Sequence, residues 1–152
     1  MPGTVTVVGG QQLAVLTQRL RAAGRKDMTR ELRKGLNRAT KPLKAAAKAN
    51  AKASLPKRGG LGRRVARTKM VTKTRTGRVA EVRILAKPGA VADPGRIDRG
   101  RIKHPVFDRG PWVLQDVTPG WFRKPMREGG PVVQRDLVVV MNVVSAQIGR
   151  GF

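Results

Sequence analysis

Positive charge gathered in one part of the chain is the feature that most limits how it can fold. Residues 19–87 hold 23 Lys and Arg against 3 Asp and Glu, whereas residues 88–152 hold 10 against 6 and residues 1–18 hold no charged side chain. Like charges at this density resist compaction through mutual repulsion, so most of them must stay in solvent. The pattern indicates an anionic partner, most commonly nucleic acid. The alternative interpretation is a solubility surface encoded by an arginine-rich genome.

Side chains that carry chemistry are scarce. The 152 residues include no Cys, no Tyr and a single His, His104, which excludes disulfides, thiolate metal sites and cysteine nucleophiles. The spacing of Ser54 and Ser145 from that histidine suggests no catalytic triad. The sequence has one weak candidate set of metal ligands, namely His104 with Asp98 and Asp108. It is weak because polar loops commonly contain one histidine by chance. We therefore expect a non-enzymatic protein with no cofactor and no metal.

A membrane location is not predicted. The chain has no run of 18 apolar residues, and its first 18 residues lack the basic start of a signal peptide. Residues 27–53 are basic and amphipathic, but their apolar face is mostly alanine and too small for strong insertion into lipid. We expect the protein to be made and assembled in the cytoplasm of the cell that produces it.

A long helix is predicted over residues 27–54, capped by Asp27 and either kinked at Pro42 or restarted there with Thr40 as the cap. Its predicted apolar face consists of Met28, Leu32, Leu36, Ala39, Leu43 and Ala46. The opposite face is cationic and consists of Arg30, Lys34, Arg38, Lys41, Lys48 and Lys52. More candidates for an anionic partner follow in the Pro- and Gly-rich segment after the helix: Lys57, Arg58, Arg63, Arg64 and Arg67.

The other predicted elements complete an α+β domain that spans residues 1–152. In chain order they are an edge strand at 4–8, a helix at 13–24, a hairpin of strands at 70–76 and 79–87, a strand at 112–117 and a helix at 131–148 with Pro131 in its first turn. The expected architecture is a small antiparallel or mixed sheet on which the long kinked helix and the C-terminal helix pack. Residues 56–67 and 88–101 are predicted as flexible loops, the first containing at most one helical turn.

Aromatic residues are few and lie away from most of the charge. Four of the aromatic residues lie in one 16-residue segment inside the weakly charged part: Phe107, Trp112, Trp121 and Phe122. The strongly basic part has no aromatic side chain. Base stacking interleaved with basic residues is therefore not indicated, which argues against sequence-specific binding of nucleic acid. A core and a subunit contact explain the cluster equally well. The core or interface candidates are His104, Pro105, Val106, Phe107, Trp112, Trp121 and Phe122.

Three segments have the order and composition of a known family: 104–107 (HPVF), 112–115 (WVLQ) and 117–122 (VTPGWF). Together with 55–61 (LPKRGGL), the alanine- and lysine-rich helix before it and the glycine-containing entry into the first helix, they cover most of residues 4–148. The chain resembles the small neck and minor-tail component family of long-tailed bacteriophages, particularly its versions from phages of actinobacteria. Asp108 departs from the pattern, because the family usually places glycine after the phenylalanine.

The resemblance implies a structural virion protein of the tail or neck, assembled in the host cytoplasm. Such proteins have an α+β fold and form rings at the head-to-tail junction or the head-proximal end of the tail, as connector, tail-completion or tail-terminator components. Six copies are favoured and twelve are the alternative. The implied partners are adjoining neck, connector or tail-tube proteins, with non-specific contact to genomic DNA in the channel. The alternative function is a basic protein that binds nucleic acid independently of sequence.

Overall fold

The computed structural model describes residues 4–7, 10–22, 24–75, 81–106 and 110–150. Within these residues the chain is α+β, as the sequence predicts. The helices are α1 (Gly10–Ala22), α2 (Lys26–Ser54), α3 (Leu61–Ala66), α4 (Pro94–Asp98) and α5 (Arg123–Gly149), with a 3-10 turn at Arg58–Gly60 before α3. The strands are β1 (Thr4–Val7), β2 (Met70–Arg75), β3 (Glu81–Ala86), β4 (Arg101–Pro105) and β5 (Trp112–Asp116).

The strands form two antiparallel sheets in the described part of the chain. The first has the order β1-β3-β2, so the predicted edge strand and the predicted hairpin are confirmed, and β3 lies in the middle. Its alternate side chains Val82, Ile84 and Ala86 are buried, which follows from the two-residue repeat of a strand. Ala80 and the turn with Gly77-Arg78 lie outside the described residues. The second sheet pairs β5 with β4, a strand that the sequence analysis missed.

The long helix α2 is continuous, and the restart predicted at Thr40 is wrong. Pro42 lies inside the helix on its exposed face, where the loss of one backbone hydrogen bond is tolerated more easily than in the core. Thr40 is buried, and its hydroxyl lies 2.8 Å from the hydroxyl of Thr72 on β2. A bend at Pro42 stays a prediction. The buried positions are Met28, Leu32, Leu36, Ala39, Thr40, Leu43, Ala47 and Ala51.

Two details of the α2 prediction are corrected. Ala46 is exposed and Ala47 is buried, because the buried row continues from Leu43 in steps of four residues rather than three. Asp27 does not cap the helix but lies in its first turn, 3.5 Å from the guanidinium of Arg25. A hydrogen bond from the Met28 amide is the largest cause that lowers the pKa of Asp27.

The C-terminal helix α5 begins eight residues before the predicted start. Pro131 is therefore internal to α5, and its exposed position again leaves the buried face intact. Val133, Leu137, Met141 and Val144 form that buried face. Among the described residues, α5 is also the one helix that is long and apolar enough to cross a membrane, a test that core helices of soluble proteins pass as well.

Helices α2 and α5 are packed antiparallel at two positions that have no side chain. A methyl group on Gly35 of α2 would lie 2.5 Å from Cγ1 of Val140, and one on Gly129 of α5 would lie 2.5 Å from Cδ2 of Leu43. Each helix thus supplies a glycine opposite a branched side chain of the other. A methyl group at either place would force the facing side chain to move, which is harder for the β-branched Val140 than for the flexible end of Leu43.

Both predicted flexible loops contain packed helical structure. In the first, Gly62, Val65 and Ala66 of α3 are buried against the C-terminal half of α2. In the second, α4 buries four of its five residues, so the prediction of an exposed loop is wrong there. Neither segment has an apolar repeat long enough to reveal a helix of five or six residues from sequence.

Substitution of one glycine in each of the two helices tests the close packing of α2 and α5. Gly35→Ala should lower the free energy of unfolding by about 1–3 kcal/mol, because Val140 is β-branched and rotates with difficulty out of the way. Gly130→Ala, with no atom within 4 Å of the added methyl, should instead raise it by up to about 1 kcal/mol through helix propensity. Urea denaturation followed by circular dichroism measures both; equal effects would contradict the packing.

Candidate polyanion-binding surface and aromatic cluster

The cationic side chains predicted to meet an anionic partner all lie on the surface. Each of the eleven, from Arg30 to Arg67, is exposed. No acidic residue occurs in the sequence between Glu31 and Glu81, and Glu31 forms an ion pair with Lys34 at 2.9 Å. Over the 29 residues of α2, about 43 Å, the exposed side therefore carries an almost uncompensated positive charge.

The end of α2 and the start of α3 enclose a cleft of about 770 Å³. Four of the predicted cations line it: Lys52, Lys57, Arg63 and Arg67. Gly59 and Gly60, with φ of 75° and 70°, turn the chain back, and Gly62 lets α3 approach so closely that a methyl group there would lie 2.9 Å from the Ala51 carbonyl oxygen. The tertiary structure thus converts a basic segment into a concave site for phosphate or carboxylate groups.

The other predicted cations are not part of this cleft. Arg30 lies about 33 Å along α2 from Lys52 and lines a second, smaller cleft of about 420 Å³ near the α1–α2 junction. Arg21, Arg25, Lys26 and Arg33 line that cleft too, and they were not among the predicted residues. Arg38, Lys41 and Lys48 lie exposed along the helix between the two. The surface is a long cationic strip with concave ends.

Repulsion within the strip is visible at Lys44. This side chain is half-buried on α2, one turn from Lys41 and one turn from Lys48. Burial lowers the pKa of Lys44 most, and the two neighbouring ammonium groups lower it further. An anion bound beside these lysines would relieve the same repulsion.

The aromatic candidates divide between the core and the surface. Trp121 and Phe122 are fully buried with ring centres 5.5 Å apart, and Trp112 is 62% exposed. Phe107 lies outside the described residues. His104 is half-buried, with one ring nitrogen 3.0 Å from the side-chain oxygen of Gln115, and its neighbours Pro105 and Val106 are half-buried too. The core interpretation is therefore confirmed for Trp121 and Phe122, whereas a subunit contact at the exposed Trp112 stays a prediction.

Asp98 holds the buried aromatic pair in place, a role that no pattern in the sequence reveals. Its carboxylate is 2% exposed and accepts hydrogen bonds from the Phe122 amide at 2.8 Å, the Arg123 amide at 3.1 Å and the Arg123 guanidinium at 2.8 Å. The indole of Trp121 donates to the Pro94 carbonyl at 3.2 Å, at the other end of α4. These groups anchor the start of α5 and are committed to structure rather than to a ligand.

No metal centre is evident among the described residues: no group of three or more His, Asp or Glu side chains stands close enough together to bind an ion. Asp98 is occupied by the contacts to α5, and Asp108 lies outside the described ranges. Comparison with protein-family models, with curated proteins and with solved structures finds no match to this chain.

Replacement of Asp98 tests its role as the anchor. Asp98→Ala should lower the free energy of unfolding by about 2–4 kcal/mol, because the buried Phe122 amide loses its acceptor. Asp98→Asn keeps one carbonyl oxygen and should cost less. Asp116→Asn is the matched control, since its carboxylate is 92% exposed and 3.8 Å from Arg101, and should change stability by less than about 0.5 kcal/mol. Chemical denaturation measures all three, and equal losses for Asp98→Ala and Asp116→Asn would contradict the assignment.

Removal of the Lys44 charge should stabilise the protein at neutral pH. The pKa of Lys44 in the folded protein lies below its ordinary value of 10.5. Between these two pKa values the unfolded chain binds more protons than the folded one, so the free energy of unfolding of the wild type rises as pH rises towards 10.5. Lys44→Gln should therefore unfold at higher urea than wild type at pH 7, with an advantage that shrinks towards pH 10.5. An advantage of Lys44→Gln that does not vary with pH would refute the explanation.

Proposed function

We propose that this chain is a structural, non-enzymatic virion protein that forms a ring at the head-to-tail junction, or at the head-proximal end of the tail, of a long-tailed phage. The observation that carries the proposal is the exposed cationic strip of α2 and α3, with its cleft of about 770 Å³ and no compensating acid between Glu31 and Glu81. A surface of this kind needs an anionic neighbour, which an assembled particle supplies as acidic protein or as DNA. The resemblance of segments 104–107, 112–115 and 117–122 to phage neck and tail components supports the same class.

The buried core of the chain is compatible with its being one subunit of a larger assembly. Trp121, Phe122 and Asp98 hold the chain together internally, which leaves the cationic strip and the exposed Trp112 for contacts with neighbours. Trp121 is unsuited to test assembly, because its complete burial means that its removal would disturb folding first.

A second function, sequence-independent binding of nucleic acid by a free protein, is favoured by one specific observation. The cleft at Lys52, Lys57, Arg63 and Arg67 is lined by positive charges without an aromatic side chain. That composition fits phosphate groups without base reading. The two functions differ in what the purified protein does alone.

Oligomeric state and salt dependence separate the two functions. Sedimentation velocity and negative-stain microscopy should show closed rings of one copy number, six being favoured and twelve the alternative, once salt or a short duplex DNA screens the repulsion. The nucleic-acid function predicts a monomer or dimer whose DNA affinity falls steeply and linearly on a log-log plot against salt. A monomer under every condition, with no ring and no affinity for phage particles lacking this protein, would exclude the proposed function.

Charge reversal locates the surface that the anion occupies. Lys52→Glu with Arg63→Glu should weaken binding of duplex DNA at low salt by about tenfold or more, because two phosphate contacts are lost and reversed. Lys124→Glu with Arg135→Glu on the exposed side of α5 is the charge-matched control and should weaken it less. Fluorescence anisotropy of a labelled duplex measures the ratio. Equal losses for the two pairs would show that only net charge matters.

A further inference from the structure

The outer face of the β4–β5 sheet combines exposed apolar and cationic side chains. Directly opposite residues of an antiparallel pair project on the same side. The register places Trp112 opposite Pro105, Leu114 opposite Lys103 and Asp116 opposite Arg101. These six residues therefore share one face. The opposite face packs inward, since Ile102 of β4 and Val117, the residue after β5, lie against the hydrophobic core.

Two large apolar side chains stand side by side on this outer face without cover. Leu114 is 65% exposed and Trp112 is 62% exposed, the highest values among the large apolar residues of the described chain. Burial of either side chain is worth about 1.5–3 kcal/mol. Tryptophan is also enriched among the residues that dominate protein interfaces. The pair is a ready contact for an apolar group of another molecule.

Cationic groups border these apolar side chains on one side. A cleft of about 590 Å³ is lined by Arg96, Arg99, Arg101, Lys103 and Leu114, and within the described residues no carboxylate lines it. Asp93 and Asp116 reach two of the arginines only at 3.7 and 3.8 Å, in exposed ion pairs that contribute little. The Lys103 ammonium lies 6.0 Å from the centre of the Trp112 ring. The face thus has apolar side chains on β5 next to a row of cationic side chains on β4 and at the end of α4.

We propose that this face, named here the hairpin face, is a docking site for an acidic amphipathic segment of a different protein. Carboxylates of that segment enter the cleft between α4 and β4, and its apolar side chains cover Trp112 and Leu114. Charge complementarity carries the choice of partner, because four cations converge there without an acid in the lining. The proposal does not depend on the chain being a virion protein.

A second copy of this chain does not have the required chemistry. Its 9 acidic residues are dispersed so that no two lie closer than four positions in the sequence, so it has no acidic segment to place in the cleft. Single-stranded nucleic acid fits less well than an acidic protein segment. Such ligands stack successive bases on several aromatic rings, whereas the hairpin face presents one exposed tryptophan in the described residues and places leucine beside it.

A labelled peptide tests the proposal on the full chain. The probe is a short capped peptide rich in glutamate with interspersed leucines, and its partner peptide has serine in place of each leucine. We expect the leucine-containing peptide to bind, measured by fluorescence anisotropy, and to shift the emission of Trp112 to shorter wavelength, whereas Trp121 is already buried. Trp112→Ala with Leu114→Ser should weaken this binding by about tenfold or more.

The control variant is Val139→Ser with Val143→Ser, which removes two exposed apolar side chains of α5 and should leave peptide affinity unchanged. Because all four positions are exposed, thermal unfolding should show that both double variants fold. Equal affinity for the two peptides, or equal affinity of wild type and the Trp112→Ala with Leu114→Ser variant, overturns the proposal. Oligodeoxythymidine that shifts Trp112 emission more strongly than the peptide assigns the face to nucleic acid and overturns it as well.

Discussion

The close antiparallel contact between α2 and α5 is the constraint on which the rest of the fold depends. Gly35 faces Val140 and Gly129 faces Leu43, so at each place a single side chain fills the space between the two longest helices. Other elements attach along α2. Thr40 meets Thr72 of the first sheet, and the Asn50 side chain donates to the backbone carbonyls of Gly120 and Trp121 at 3.2 Å each. One helix thus connects the first sheet, α3, and the aromatic cluster at the start of α5.

The packing of α2 also determines where its charged side chains lie. Since one side of α2 is committed to the core, its lysines and arginines accumulate on the other, where Lys44 already experiences the field of Lys41 and Lys48. Gly62 lets α3 lie close to Ala51 at the end of α2, and α3 then adds Arg63 to the same strip. Packing and electrostatics are therefore not separate here. The tight core concentrates these cations on one exposed side of α2 and α3.

The molecule offers two kinds of surface to its neighbours. The strip on α2 and α3 is cationic and suited to phosphates or dispersed carboxylates. The hairpin face is amphipathic, with Trp112 and Leu114 next to a separate cationic cleft. A protein that contacts several different neighbours in a particle needs surfaces that distinguish them, and an apolar contact adds the shape dependence that charge alone lacks. Both surfaces lie on helices and strands whose positions depend on the Asp98 hydrogen bonds and the α2–α5 contact.

Sequence alone determined the fold class, the strands of the first sheet, the extent of α2 and the exposure of its cations, because local periodicity and like-charge repulsion act on neighbours along the chain. It placed Ala46 instead of Ala47 on the buried face, left open a restart of α2 at Thr40 and began the last helix at Pro131. Pro42 and Pro131 both lie on the exposed side of their helices, where a proline is tolerated within the helix. The tertiary structure decided which cations converge in clefts, that Trp121 is core while Trp112 is surface, and that Asp98 anchors α5. Each of these depends on contacts between residues that are not neighbours in the sequence, such as Asp98 with Phe122 and Arg123 or Gly62 with Ala51, and no local pattern encodes such contacts.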